Sequence, residues 1–142
     1  MNRMLPLFSL SGLLLSCLPL AAAEATGTPP TAAETTTKVK HATPADAETL
    51  IQAKKVVVID VRTPDEFKVG HIAGAKNIDF QGADFAKALG KLDRKQTYLV
   101  HCAAGGRSTK SLEVFKKLGF SKVVHLDGGF NAWEAAGKPV AK

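Results

Sequence analysis

Three apolar runs punctuate this chain. Val56-Val57-Val58-Ile59-Asp60-Val61 is almost unbroken and β-branched, Thr97-Tyr98-Leu99-Val100-His101 repeats the pattern, and Val123-Val124-His125-Leu126 repeats it again. Apolar runs without polar alternation predict strands covered on both faces, as in a parallel sheet. Between them the spacing turns helical. Thr43-Pro44 with Asp46 and Glu48 predicts an N-cap, a first-turn proline and acidic residues at the positive end of a helix running to about Ala53. Thr63-Pro64-Asp65-Glu66 repeats that start signal for a shorter helix, and Asp84 to Leu89, ended by Gly90, predicts another. Leu112, Phe115 and Leu118 line one face of a longer helix that stops at Gly119, with Phe120 folding back over its end. Phe130, Ala132 and Trp133 mark a last helix, closed by Gly137 and Pro139. Gly70 to Ala75 is rich in turn residues, and Asn77-Ile78 reads as a short strand. Strands alternating with helices predict an α/β domain, a small sheet flanked by helices on both faces.

The first residues follow a different pattern. Arg3, then an apolar stretch from Leu5 to Leu20, then Ala21-Ala22-Ala23-Glu24-Ala25, is the layout of a cleaved export signal over residues 1–25. Pro6, Ser9, Ser11 and Pro19 interrupt the stretch, which suits a signal better than a membrane span. Leu14-Leu15-Ser16-Cys17 also resembles the lipobox of bacterial lipoproteins, an alternative that would tether the chain by a lipid on Cys17. Residues 26–40, rich in Thr, Ala and Pro, read as a disordered linker, leaving 41–142 as the domain. A periplasmic protein is expected, or a membrane-anchored lipoprotein if Cys17 is lipidated.

The stretch with chemistry is His101-Cys102-Ala103-Ala104-Gly105-Gly106-Arg107-Ser108. It follows a buried strand and opens a helix, the place where α/β sheets bind ligands. Successive backbone N–H groups in such a glycine-bearing loop can converge on one spot over a helix N-terminus and hold an anion. The side chain expected at the mouth of that cradle is the Cys102 thiol. Helix termini and nearby cations lower a cysteine pKa from about 8.5 to roughly 3.5–7.5, and the resulting thiolate is a nucleophile. Cys102 has no cysteine partner within the domain, as befits a free reactive thiol. Asp60 and Arg62 fall at the same sheet edge and should lie nearby, as possible support for the site or as a buried pair tying the edge to the following helix.

These residues resemble a known family. Val58-Ile59-Asp60-Val61-Arg62, Glu66-Phe67, Gly70-His71-Ile72 with Gly74-Ala75, Cys102 through Ser108, and Leu126-Asp127-Gly128-Gly129-Phe130 with Trp133 together are similar to a single-domain rhodanese. The resemblance implies a five-stranded parallel sheet flanked by helices, with a weak strand near residues 39–42. It implies a thiosulfate sulfurtransferase, in which Cys102 takes the outer sulfur of a small anionic donor as a persulfide and passes it to cyanide or a thiol. The amides of Ala103, Ala104, Gly105, Gly106, Arg107 and Ser108 would hold that sulfur, and Arg107 would help hold the anion. No cofactor is implied, although a protein acceptor or reductant is a possible partner. Four residues separate Cys102 from Arg107, one fewer than in related folds that hydrolyse phosphate esters or reduce arsenate, so the cradle fits a sulfur atom. Ala103 and Ala104 depart from the basic or hydroxyl residue many active members carry after the cysteine, which keeps a non-catalytic binding or sulfur-carrier module as the competing reading.

Charge and the remaining residues narrow the picture. The formal net charge is +6, but the lysines are scattered and not interleaved with aromatics, which argues against nucleic acid. His41, His71, His101 and His125 show no metal-ligand spacing, so no metal is expected. His101 should point away from the thiol, His71 should brace a turn, and Trp133 should be core. The glycines of Asp127-Gly128-Gly129 are read as backbone freedom, whereas Gly105 and Gly106 are read as leaving room for a ligand.

Overall fold

A computed structural model of the chain describes residues 36–142. The export signal read over residues 1–25, Cys17, and the linker up to residue 35 lie outside the described residues. In chain order the elements are β1 (Lys38–Ala42), α1 (Pro44–Gln52), β2 (Val57–Asp60), α2 (Pro64–Val69), β3 (His71–Ile72), β4 (Lys76–Asn77), α3 (Phe85–Gly90), β5 (Thr97–His101), α4 (Gly106–Lys117), β6 (Lys122–Leu126), α5 (Gly129–Ala135) and β7 (Val140–Ala141). Five strands form one sheet in the order β1-β6-β5-β2-β4, every pair parallel, as the family resemblance implied.

Two expectations shift. β1 begins at Lys38, so the last three residues of the segment read as linker (26–40) are strand. Its Lys-Val-Lys-His pattern looks polar because β1 is an edge strand with one neighbour, β6. The second is a ribbon that local patterning did not predict: β3 and β7 pair antiparallel, Ile72 against Val140, joining segments far apart in sequence.

The local signals act as expected. Thr43 accepts a hydrogen bond from the Asp46 amide at 3.2 Å while its own amide donates to the Asp46 carboxylate, and Thr63 and Glu66 repeat this capping box at α2. α4 ends at Gly119, whose φ of +75° lets the Phe120 amide donate back to Phe115. Phe120 then packs edge-on against Phe115 and Tyr98.

The sheet divides the core by strand period. Ile59, Tyr98, Val100, Cys102 and Val123 face α3 and α4, meeting Phe85, Leu89, Leu112 and Phe115. Val58, Leu99, Val124 and Leu126 face α1 and α5, meeting Ala47, Phe130 and Trp133. Burial of a large apolar side chain contributes about 1.5–3 kcal/mol, so both layers are needed to hold the sheet. Trp133 is core, its indole N–H donating to the Pro139 carbonyl at 2.8 Å.

Candidate active site

The loop between β5 and α4 folds as a cradle around the Cys102 sulfur. Gly105, at φ +108°, turns the chain into α4 and points its amide at Cys102 Sγ, 3.0 Å away. The Ser108 hydroxyl lies 3.5 Å from the same sulfur. Burial pushes the thiol pKa up. The Ser108 hydroxyl and the amides of Ser108, Gly105 and Arg107 outweigh that, leaving Cys102 below its ordinary value. A sulfur ringed by donors at a helix N-terminus is stabilised as thiolate.

The thiol does not sit at the mouth of the cradle, as its place in the sequence suggests. Cys102 is the floor, only 1% exposed. Its side chain packs into the layer under α3 and α4, while the start of α5 holds the loop from the other side: the Phe130 amide donates to the Cys102 carbonyl at 2.8 Å and the Asn131 amide to Ala103 at 2.9 Å. Gly129 makes this approach possible, since a Cβ there would stand 2.5 Å from the Cys102 oxygen and 2.6 Å from that of Ala103. The turn read as backbone freedom is thus also a seat for the Cys102 loop. Ala104 and Gly106 are exposed on the loop's outer side, and Ala103 is partly so. Gly106 has an ordinary backbone and open space where its Cβ would be, unlike Gly105.

Arg107 is held by a residue that single-position reasoning did not select. Its two terminal nitrogens donate to the two oxygens of Glu66 at 2.7 and 2.8 Å, a fork-to-fork pair from α4 to α2. The pair links residues 41 apart, and its only local trace is the Thr63-x-x-Glu66 capping box. The Arg107 guanidinium, then the Thr63 amide and hydroxyl, outweigh burial and hold the Glu66 carboxyl down at about 2, against an ordinary 4.5. A carboxyl depressed on folding lends stability above its unfolded pKa, and that stability is lost as pH falls through the folded one. Glu66→Gln is therefore expected to lower the thermal midpoint at neutral pH, with the gap from the parent closing between about pH 4.5 and 2. With the Glu66 side chain 36% exposed, solvent screening keeps the effect under about 1 kcal/mol. Thermal melts of both proteins across that pH range check it.

Asp60 and Arg62 lie on the opposite face of the sheet from the thiol. Arg62 is buried, donates to Asp60 at 2.7–3.0 Å and to the Gly70 carbonyl at 2.7 Å, and lies 4.0 Å above the Phe130 ring. The pair ties the sheet edge to the end of α2 and to α5, and makes no contact with Sγ. His101 is buried on that same face, stacked near Phe130, and burial keeps its pKa down. His71 donates from Nδ1 to the Phe67 carbonyl at 3.0 Å and stacks on the Phe67 ring, bracing the turn after α2.

Comparison with known proteins agrees with this architecture. A family model described as Rhodanese-like domain matches residues 43–136. A thiosulfate sulfurtransferase GlpE from Pseudoalteromonas translucida is 32% identical over 97 residues, covering 68% of this chain and 90% of that protein. A probable adenylyltransferase/sulfurtransferase MoeZ from Mycobacterium tuberculosis is 39% identical over 90 residues; the match covers 63% of this chain but only 23% of that longer protein. A crystal structure of a rhodanese-related protein from Thermoplasma volcanium superimposes with a TM-score of 0.65 at 33% identity, covering 72% of this chain and 97% of that one.

Proposed function

Because the chain belongs to the family of rhodanese-like domains, we propose that it is an exported sulfurtransferase working through a persulfide on Cys102. The observation that carries this is the sulfur itself, 3.0 Å from the Gly105 amide and held below its ordinary pKa at the start of α4. The Cys102 thiolate attacks the outer sulfur of thiosulfate, the S–S bond of the donor breaks, and sulfite leaves with the electron pair. The outer sulfur of the persulfide then carries the negative charge that the amides of the loop neutralise. Cyanide or a thiolate attacks that sulfur, leaves as thiocyanate or a persulfide, and returns Cys102 as thiolate. Neither displacement moves a proton, so no general base beside the sulfur is needed.

The donor is a small anion bearing a sulfane sulfur, thiosulfate being the chemical probe. Ala103 and Ala104 offer it no side-chain hydrogen bonds. With Cys102 closed in, entry of the donor requires the Ala103–Gly106 loop to move outward, and its small side chains leave that movement little packing to lose. Export is supported by Arg3, the apolar run from Leu5 to Leu20 and the alanines that follow. Among the described residues no helix is long and apolar enough to cross a membrane.

Intact mass after incubation with thiosulfate tests the proposal. Expected is a gain of one sulfur atom, removed by cyanide with release of thiocyanate, and retained in a Cys17→Ser variant. An unchanged mass together with tight capture of a protein partner would favour the binding-module reading instead.

A further inference from the structure

A second cluster lies on the same side of the sheet, beyond the loop, and touches the Cys102 site only through the Ser108 hydroxyl. The parallel register of β1 and β6 sets His41 directly beside His125, and Asp127 follows two residues later on the same face. His41 Nδ1 stands 2.7 Å from Asp127 Oδ1 and His125 Nδ1 stands 3.2 Å from that same oxygen. The donor atoms of the three residues lie within 4.8 Å of one another. Nitrogen and oxygen ligands about 2.0–2.2 Å from a tetrahedral ion stand about 3.3–3.6 Å apart, a spacing that the exposed side chains of His41 and Asp127 can reach by small rotations.

The surroundings of His125 point the same way. His125 is buried, and its Nε2 lies 2.8 Å from the Ser108 hydroxyl. The Thr109 hydroxyl donates to the Gly105 carbonyl at 2.8 Å, and Ser108 Oγ lies 2.9 Å from the same oxygen. The Ser108 contact anchors the far side of the imidazole and turns Nδ1 toward Asp127. Both imidazole Nδ1 atoms converge on Asp127 Oδ1, so an ion that takes the place of their hydrogens meets two nitrogens and a carboxylate at once. A histidine whose far ring nitrogen is held by a hydroxyl has its ring orientation fixed, as metal-ligating histidines do.

We propose that His41, His125 and Asp127 bind one divalent transition ion of the zinc type, leaving at least one coordination position open to solvent. Two imidazoles and a carboxylate select such an ion over magnesium or calcium, which take oxygen ligands. His41 and Asp127 are exposed, at 62% and 52% of their side chains, so an ion has access from outside. The site stands on its own residues and does not depend on the chain being a sulfurtransferase.

The test uses the full chain with Cys17→Ser and Cys102→Ser, so that no thiol competes for metal. Zinc titrated calorimetrically is expected to bind at one equivalent, and cobalt(II) to give visible ligand-field bands that zinc abolishes. His41→Ala and Asp127→Asn, both at exposed positions, should each weaken zinc binding at least tenfold while leaving the circular dichroism spectrum unchanged. Imidazole NMR signals of His41 and His125 should shift with zinc, and those of His71 and His101 should stay in place. The proposal is overturned if zinc fails to bind at millimolar concentration. Equal affinity in the two variants, or shifts confined to other histidines, would overturn it as well.

Discussion

Replacing Cys102 with Ser is expected to abolish sulfur uptake while leaving the fold intact. The hydroxyl is close in size to the thiol and still accepts the Gly105 amide, so the floor of the cradle keeps its shape. It does not ionise near neutrality, and the donors that depress the thiol cannot bring it there. Intact mass after thiosulfate treatment should show no added sulfur, and thiocyanate production should fall to background. The denaturation midpoint should stay close to the parent's, since no cavity or unpartnered buried group is created. Uptake surviving in this variant would place the persulfide elsewhere, and Cys17 would be the next residue to replace.

Gly129→Ala is the second large effect, and it arises away from the reacting atom. The residue sits at φ +60°, and its new methyl would overlap the carbonyl oxygens of Cys102 and Ala103. Backbone atoms on both sides prevent an easy shift. Left-handed backbone costs a non-glycine residue about 1–2 kcal/mol. Separating the loop from α5 also breaks the amide bonds from Phe130 and Asn131. A loss of about 2–4 kcal/mol is expected in urea denaturation, with sulfur loading impaired in whatever fraction remains folded. Gly106→Ala is the contrast: open space and an ordinary backbone predict a stability change within about 0.5 kcal/mol. A Gly129→Ala protein as stable and as readily loaded as the parent would remove α5 from any account of the site.

What the sequence discloses here is whatever is local. β2, β5 and β6 are readable because a strand shielded on both faces needs a run of apolar residues, and each has one. The capping boxes at Thr43 and Thr63 and the Gly119 stop lie within a few residues of the groups they satisfy. The Cys102 loop is also local, its sulfur, amides and helix start lying within seven consecutive residues. The partners that complete the site are not. Glu66 reaches Arg107 across 41 residues, and His41 reaches Asp127 across 86. Each becomes visible only when the strand order sets distant segments side by side. The seating of the loop belongs to the same class, because the α5 amides that hold the Cys102 and Ala103 carbonyls come from the far end of the chain. The four histidines show no ligand spacing because parallel register, which brings His41 and His125 together, leaves no mark in a linear pattern.

The donors around the Cys102 sulfur are mostly main-chain amides, and this bears on how such a domain diversifies. A peptide N–H survives every side-chain replacement except proline, so the charge-holding part of the loop is shielded from most point mutations so long as its path is kept. The outward positions at Ala103 and Ala104 carry no such duty. Descendants of this chain can therefore exchange those two residues to suit a new donor without rebuilding the chemistry beneath.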